Sequence, residues 1–422
     1  MPETTIGAFP GGNGKADHYD GLRQSAPTPS ENGLRRWSAA RRFRLPGREK
    51  KFPALRHASP LERRPDRSLR GIQRDEVVIS SSNQDASQSQ SRDIRLKLLA
   101  HPDRLLGIQS GRFAPPILVD IDPVDGACNL DCEWCCQAAS RSSRPTKFMS
   151  EATMTRLGSF SREWGVKSWR IAGDSEPLLH KGINTLIDSG SEFEIDMGLI
   201  TNGVYLQRLT PDSLAKLDWL GISLDAGTGE TWSRLKKSPA ANFEEILENI
   251  ADVRSKAPNL DVAIKFLRWS STEHLRKEDF GHGLLPVIEP STTDADNSNE
   301  IEQVKKLAAD LSVRAIIKNA YPRDFADKYR FTKCRATPLG GVFDASHNFH
   351  LCCDARGIFV LTDDYTRDDW QEMPRLWGGE RHRKLIDSID PLKCVGCAKH
   401  AINEVLESHL IVGDRSEQLN FI

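Results

Sequence analysis

The 422-residue chain has few cysteines, few tyrosines and no long apolar run. It contains nine Cys and five Tyr, and no stretch approaches the roughly 20 apolar residues that span a bilayer. Nine cysteines are too few for a disulfide-stapled secreted domain of this length. The segment Met1-Pro2-Glu3-Thr4 has neither the basic region nor the apolar core of a signal peptide. We therefore expect a protein of the reducing cytoplasm that has no membrane partner.

The chain also lacks an excess of charge of one sign, since it contains 58 Lys and Arg and 59 Asp and Glu. The balance is uneven, because residues 1–92 carry 17 basic and 10 acidic side chains. This segment is rich in Pro, Ser, Arg and Gln and cannot bury enough apolar surface to offset its ordering entropy. We expect residues 1–92 to be a disordered basic tail. A solvated tail is favoured over a nucleic-acid contact because its basic tracts lack interleaved aromatic side chains.

From residue 93 to residue 330, helix-like and strand-like segments alternate. A helical stretch from Asp93 to Leu106 precedes six strand candidates, namely Ile117 to Ile121, Ser168 to Ile171, Asp196 to Ile200, Trp219 to Leu224, Asp261 to Phe266 and Val313 to Ile317. Between them lie amphipathic segments at Glu151 to Trp164, Gly182 to Ser189, Pro211 to Leu217, Ala241 to Lys256 and Asn299 to Leu311. Alternating βα units imply a parallel sheet with right-handed crossovers. The pattern predicts an α/β fold, a partial (β/α)6 TIM-like barrel, with a loop insertion from Trp269 to Glu289.

Three cysteines, Cys128, Cys132 and Cys135, directly follow the first predicted strand. A 4Fe-4S cluster takes four Cys thiolates, so three on one loop leave one iron with open coordination. Structural zinc is the alternative, but it needs four ligands, and neighbouring Cys136 is too close to complete a tetrahedral site. The loop therefore predicts an iron-sulfur cluster at the carboxyl end of a barrel strand, where the chemistry of such barrels gathers.

The spacing CxxxCxxC, with Trp134 before the last Cys, resembles the signature of the radical S-adenosylmethionine (SAM) superfamily. In that family the open iron chelates the amino and carboxylate groups of SAM. An electron from the cluster then cleaves the sulfonium to a 5′-deoxyadenosyl radical. The resemblance implies that Cys128, Cys132 and Cys135 hold a SAM-binding 4Fe-4S cluster, and that an external electron donor such as flavodoxin or ferredoxin reduces it.

Three further segments at predicted strand ends resemble SAM-binding segments of the same family. Residues 172–177 (AGDSEP) are similar to GGEP, residues 201–203 to TNG, and residues 223–227 (SLDAG) to SLDA. The resemblance implies that SAM is bound by Gly173, Asp174, Glu176, Thr201, Asn202, Ser223 and Asp225. It also implies that Arg234, on the helix after Thr228, meets the SAM carboxylate, although a solvated face is an alternative role for this residue.

Two residues are candidates for catalysis. Lys265 is a charged residue in an apolar predicted strand, which is a signal of a functional site. Cys136 could deliver a hydrogen atom to a substrate radical, as thiols do in radical epimerases. Packing beside the cluster is the alternative role for Cys136.

The remaining five cysteines lie in residues 331–422. Residues 342–353 are typical of a hairpin that ends at Cys352 and Cys353, and the segment Leu376-Trp377 and the pair Cys394 and Cys397 follow. This order resembles the C-terminal SPASM/twitch extension of radical SAM enzymes, which usually has glycine where His347 stands. A full SPASM domain needs about seven Cys, so the count fits the smaller twitch form.

The resemblance thus implies one auxiliary 4Fe-4S cluster held by Cys334, Cys352, Cys394 and Cys397, with Cys353 left over. An all-thiolate structural zinc site is the alternative. A cluster with four protein ligands has no open iron and would move electrons rather than bind substrate.

These features together predict a radical SAM enzyme of oxidoreductase or lyase type. A fully ligated auxiliary cluster suits a net oxidation of a small polar, carbohydrate-like substrate in secondary metabolism. A maturase of a ribosomally made peptide is the alternative, although residues 1–92 show no pattern of a peptide-recognition domain. A metal-binding interaction protein with a degenerate SAM site is the non-enzyme alternative.

We predict that residues 1 to about 90 are dispensable for chemistry, because no predicted cluster or SAM ligand falls there. A protein that starts near Arg92 should release 5′-deoxyadenosine from SAM at the rate of the full chain. A collapse of turnover in a folded, iron-loaded truncation would instead show that the tail completes the active site.

Overall fold

The structure is a computed structural model that describes residues 94–132, 135, 141, 144–268, 298–319, 331–394 and 397–410. All of these residues fall within one compact unit, Val78–Ile422. The predicted tail at residues 1–92, the predicted loop insertion from Trp269 to Glu289 and the candidate Cys136 lie outside the described residues.

Strands of the described residues form two sheets. In chain order the strands are β1 (Leu118–Asp122), β2 (Val124–Asp125), β3 (Lys147–Phe148), β4 (Ser168–Ile171), β5 (Asp196–Thr201), β6 (Trp219–Ser223), β7 (Asp261–Arg268), β8 (Arg314–Asn319), β9 (Gly340–Asp344), β10 (Phe349–His350) and β11 (Val360–Thr362). The main sheet has the order β11-β10-β9-β1-β4-β5-β6-β7-β8, and β2 pairs with β3.

Helices connect the strands of the main sheet. They are α1 (Ile94–Leu99), α2 (Pro102–Ser110), α3 (Glu151–Trp164), α4 (Ile183–Glu192), α5 (Pro211–Lys216), α6 (Gly229–Lys236), α7 (Ala241–Lys256), α8 (Ser298–Asp310), α9 (Glu372–Leu376), α10 (Glu380–Asp387) and α11 (His400–Val405). In the part of the chain that the structure describes, no helix has the length and apolar character to cross a bilayer.

The predicted α/β barrel is confirmed. The strands β1, β4, β5, β6, β7 and β8 pair in parallel, and each lies within two residues of its predicted bounds. One prediction was wrong: the helical stretch from Asp93 to Leu106 is two helices, α1 and α2. Pro102 occupies the first turn of α2, a position that needs no backbone N–H, whereas inside a continuous helix it would remove a hydrogen bond.

The C-terminal segment extends the barrel sheet. Strand β9 pairs in parallel with β1, and the predicted hairpin is formed by β9 and β10. In its turn, His347 has φ +71°, in the left-handed region that favours glycine, which agrees with the glycine usual in the resembled family. The proposed domain boundary near residue 331 stays a prediction, but main-chain hydrogen bonds join the two segments.

The two faces of the parallel sheet differ in chemistry. Val119, Ile121, Trp169 and Ile171 on β1 and β4 are buried in the core with side chains of the helices. Because neighbouring strand residues face opposite ways, the alternate residues share the other face, which we call the inner face. One row across it is formed by Asp120, Arg170, Gly198 and Trp219.

Gly198 makes room on this face for a neighbouring indole. A Cβ at residue 198 would lie 2.0 Å from the Trp219 side chain, well inside van der Waals contact. Glycine therefore leaves room for the Trp219 ring at residue 198 of β5.

We predict that Gly198→Ala destabilises the protein by about 1–3 kcal/mol, the usual cost of overpacking. Gly229→Ala is the matched control, because a Cβ there would meet its nearest neighbours at 3.6 Å, an ordinary contact. Thermal unfolding should show a lower midpoint for Gly198→Ala only. Equal midpoints for the two variants would contradict the inferred contact between Trp219 and β5.

Candidate active site

The three-cysteine loop is fixed at the carboxyl end of β1. Cys128, Cys132 and Cys135 are each half-buried, and burial raises the pKa of the Cys128 thiol to about 11. Buried thiolates need positive charge close by. The surroundings of the loop supply it from two elements.

Arg141 connects the loop to the turn after β4. Its Nη1 donates to Cys135 Sγ at 3.3 Å and to the carbonyl oxygen of Asp174 at 3.2 Å. The guanidinium therefore compensates thiolate charge and holds the turn of the GGEP-like segment against the cysteine loop.

Glu176 organises the predicted SAM-binding segments. Its buried carboxylate accepts hydrogen bonds from the Thr201 hydroxyl at 2.6 Å and from the backbone N–H groups of Asn202 and Leu178 at 2.8 and 3.0 Å. Burial raises the pKa of Glu176, and these hydrogen bonds oppose the rise. Glu176 thus joins the turn after β4 to the end of β5. Its predicted role in binding SAM stays a prediction.

Asn202 extends this network to the cysteine loop. Its Nδ2 donates to Asn129 Oδ1 at 2.8 Å, and its Oδ1 accepts from the backbone N–H of Val204. Gly173 has φ +145°, and a Cβ there would lie 3.4 Å from Asp122 Cγ, so the turn passes close to the end of β1. The neighbouring Asp174 is buried and paired with Arg144. The structure therefore brings together the cysteine loop, the turn after β4 and residues 201–203.

The SLDA-like segment, residues 223–227, contains a buried ion pair that the sequence did not reveal. Asp225, in the left-handed region at φ +61°, pairs with Lys236 Nζ at 2.6 Å, and Lys236 also donates to the carbonyl oxygen of Ser223 at 3.0 Å. Burial lowers the pKa of Lys236, but Asp225 and the Cys132 thiol more than offset this, so the pKa is raised. Lys236 is therefore a buried ammonium that interacts electrostatically with Cys132 and Cys135 of the cysteine loop.

Arg234 and Lys265 lie at different depths. Arg234 is exposed on α6, two residues before Lys236, and its predicted contact with the SAM carboxylate stays a prediction. Lys265 is half-buried on β7, and its Cδ would lie 3.1 Å from a Cβ at Gly221. Its neighbours Ile264 and Phe266 are in the core, so Lys265 lies on the inner face.

The C-terminal cysteines form a second group. Asn403 Nδ2 lies 3.9 Å from both Cys334 Sγ and Cys397 Sγ, so these two sulfurs are neighbours. Burial raises the pKa of Cys394 and of Cys397 to about 12, and the charge of Cys334 contributes to both shifts. Three of the four residues predicted to hold an auxiliary cluster, Cys334, Cys394 and Cys397, are therefore near one another.

Lys399 relates Cys352 and Cys353 to this group, because it interacts electrostatically with both thiols and with Cys334. Cys353 is buried, whereas Cys352 is half-buried. The choice of Cys352 rather than Cys353 as the ligand stays a prediction.

Both groups fit an iron-sulfur centre by the chemistry of their donors. Each combines several thiols with cationic or amide hydrogen-bond donors, which are groups that compensate thiolate charge and tune such clusters. Within the described ranges, no three His, Cys, Asp or Glu side chains are arranged to hold a single metal ion.

A network of buried ion pairs links the two halves of the site. Arg356, from the C-terminal segment, pairs with Asp122 through Nε at 2.5 Å and Nη2 at 3.0 Å. Arg170 Nη2 lies 2.6 Å from Asp120 Oδ2. Arg356 also donates to the carbonyl oxygen of Cys353, so one guanidinium contacts both the end of β1 and the turn of the second cysteine group.

We predict that Lys236→Met destabilises the protein by about 3–5 kcal/mol, because it leaves the Asp225 carboxylate buried and unpaired. Lys216→Met is the matched control, since its partner Asp188 is half exposed and such pairs contribute at most about 1 kcal/mol. Thermal unfolding of both variants measures the difference. Similar midpoints would show that Asp225 and Lys236 are not the buried pair described above.

Comparison with known proteins gives relatives that match part of the chain. A probable GTP 3′,8-cyclase of Methanococcus maripaludis (strain C5) is 30% identical over 125 residues, which is 29% of this chain and 41% of that protein. The corresponding protein of Methanococcus vannielii is 34% identical over 100 residues, 23% of this chain and 33% of its own length. The chain thus spans less than half the length of these relatives.

Among solved structures, the chain is similar to Streptococcus suis SuiB bound to precursor peptide SuiA. The match has a TM-score of 0.47 and 15% identity, and it covers 83% of this chain and 85% of that one.

The family model of the Radical SAM superfamily matches residues 124–266. This range begins just before the three-cysteine loop and ends on β7, so it contains all four segments described above. The chain therefore carries a radical SAM domain over residues 124–266.

Proposed function

We propose that this protein is a radical SAM enzyme that abstracts hydrogen from a small polar, carbohydrate-like substrate and completes a net oxidation. The observation that carries the proposal is the connection of Cys128, Cys132 and Cys135 to the SAM-like segments through Arg141, Asn129 and Glu176. The bound cluster would supply the electron that cleaves SAM to a 5′-deoxyadenosyl radical.

The chain's own residues would orient SAM and exclude water. Glu176 fixes the turn after β4 against Thr201 and Asn202. Lys236 places a positive charge beside the cysteine loop, where it would favour the carboxylate of SAM. Burial of the Asp225–Lys236 pair keeps this charge in a low-dielectric setting, where its electrostatic effect is largest.

The second cysteine group supports the oxidation. Cys334, Cys352, Cys394 and Cys397 would hold an auxiliary cluster that accepts the second electron from the substrate, with an external flavodoxin or ferredoxin reducing the SAM-binding cluster. Asn403 donates to two of these sulfurs, and amide donors of this kind raise the reduction potential of a cluster. A higher potential suits an electron acceptor.

The inner face of the sheet supports a polar substrate. Asp120, Asp122, Arg170 and Lys265 lie on this face, so it offers charged hydrogen-bond donors and acceptors rather than an apolar wall. Maturation of a peptide is the second candidate. Incubation with a deuterated carbohydrate and, separately, with a deuterated peptide separates the two, because only the true substrate passes its label into 5′-deoxyadenosine.

We predict that anaerobically reconstituted protein binds about eight iron atoms, as two 4Fe-4S clusters require. Replacing Cys128, Cys132 and Cys135 together by Ala should leave about four iron atoms and abolish release of 5′-deoxyadenosine. Cys353→Ala is the control and should keep both clusters, because Cys353 is the cysteine left over. Iron and sulfide analysis measures the first result, and chromatography of the SAM products measures the second.

Two outcomes would contradict this account. If wild-type protein holds one cluster plus zinc, the proposed auxiliary cluster is wrong, while the proposed SAM chemistry still stands. If iron-loaded, reduced protein releases no 5′-deoxyadenosine from SAM, the proposed enzymatic function is wrong, and a metal-binding interaction protein is favoured.

A further inference from the structure

Asp225 adopts a backbone conformation that only glycine adopts at no cost. Its φ of +61° lies in the left-handed region, and such a residue persists where the surrounding structure enforces it. Strand β7 supplies one restraint. The Asp225 N–H donates to the carbonyl oxygen of Lys265 at 3.1 Å, and its Oδ1 accepts from the N–H of Leu267 at 2.9 Å. Lys236 supplies another, since its Nζ lies 2.6 Å from Oδ2. The loop after β6 is therefore held in a strained form from two sides.

A third restraint on this loop comes from α8. The Glu300 carboxylate accepts hydrogen bonds from the Gly227 N–H and from the Thr231 hydroxyl, the latter at 2.8 Å. The Thr228 hydroxyl, which caps α6 by accepting from the Thr231 N–H, donates to the same carboxylate at 3.4 Å. We call Glu300 with these three partners the carboxylate clamp. It joins α8 to the last residue of the SLDA-like segment and to the first turn of α6.

The backbone of α8 also lies directly against this loop. A Cβ at Gly227 would lie 2.6 Å from Gln303 Cβ and 2.8 Å from the Glu300 carbonyl oxygen, so a residue without a side chain is needed for this close approach. The helix dipole favours a negative charge at the amino end of α6. Close packing and charge therefore fix the loop at the same point.

The carboxylate clamp determines where both ends of α6 lie. It holds the amino end directly. The carboxyl end carries Lys236, which pairs back to Asp225 and interacts electrostatically with Cys132 and Cys135. Loss of the clamp would let the strained turn at Asp225 relax toward a commoner backbone conformation. The SLDA-like segment would then shift relative to the cysteine loop.

We propose that Glu300 is a positioning residue for SAM, which acts on the cofactor through residues 223–227. A binding site whose supporting contacts are loosened loses its preorganised geometry and hence its affinity. The inference rests on the proposed function. It adds to the site a residue of α8 that lies outside the range of the radical SAM family match, which ends at residue 266.

SAM affinity tests this role. Equilibrium dialysis of SAM against reconstituted protein before reduction measures the dissociation constant without consuming the cofactor. Glu300→Ala should weaken SAM binding about tenfold, while the iron and sulfide content stays at the wild-type value. Glu300→Gln keeps a carbonyl oxygen for the Gly227 N–H and should recover part of the affinity. Glu302→Gln is the matched control on the same helix, because Glu302 is exposed and pairs with Lys305. It should bind SAM as the wild type does.

A second measurement reports on the carboxylate clamp without SAM. Backbone hydrogen exchange of a peptide that spans residues 223–236 should be faster in Glu300→Ala than in the wild type, because the Gly227 N–H loses its acceptor. Equal exchange in the two proteins would show that Glu300 does not hold this loop, and would overturn the proposal.

The proposal is also overturned if Glu300→Ala binds SAM as tightly as the wild type, or if Glu302→Gln weakens binding as much. Should Glu300→Ala fail to load iron, Glu300→Gln and Thr231→Val each remove part of the clamp, and wild-type affinity in both would overturn the proposal. Release of 5′-deoxyadenosine by the reduced wild type tests the proposed function separately. SAM that is bound but not cleaved contradicts that function alone, whereas a wild type that binds no SAM contradicts both.

Discussion

The buried carboxylate of Glu176 is the interaction on which the geometry of the active site depends. It accepts hydrogen bonds from the ends of two elements, the turn after β4 and the segment Thr201-Asn202 after β5. Asn202 then reaches Asn129, which lies between Cys128 and Cys132 of the cysteine loop. Three loops at the carboxyl ends of parallel strands are thereby fixed relative to one another, which is the preorganisation that a cofactor site requires.

Charge compensation is the second constraint on the site. The cysteine loop lies between Arg141, which donates to Cys135, and Lys236, whose ammonium is buried beside Asp225. Arg356 pairs with Asp122 at the carboxyl end of β1 and reaches the backbone of Cys353. One guanidinium thus connects the strand that leads into the three-cysteine loop with the second cysteine group.

The six barrel strands could be predicted because each is a short apolar segment with its own local signal. The pairing of β9 with β1 could not, since it joins residues more than 200 positions apart and no local pattern encodes it. The ion pair of Arg356 and Asp122 was missed for the same reason. Lys236 was missed because residues two apart on a helix face different ways, and the sequence alone did not tell which of Arg234 and Lys236 faces the cysteines. The fold brings the motif segments together at the strand ends where the sequence placed them, but their hydrogen-bond partners emerge only from the fold, and their roles as ligands stay predictions.

The central claim is that the three-cysteine loop holds a cluster with one iron open to SAM, and that the second group holds a cluster whose irons are all ligated by cysteine. Electron paramagnetic resonance of the reduced, reconstituted protein tests it most directly. Addition of SAM should shift the spectrum of one cluster and leave the other unchanged, and the SAM-sensitive signal should persist when Cys334, Cys394 and Cys397 are replaced by Ala. A spectrum that SAM does not alter would contradict the account.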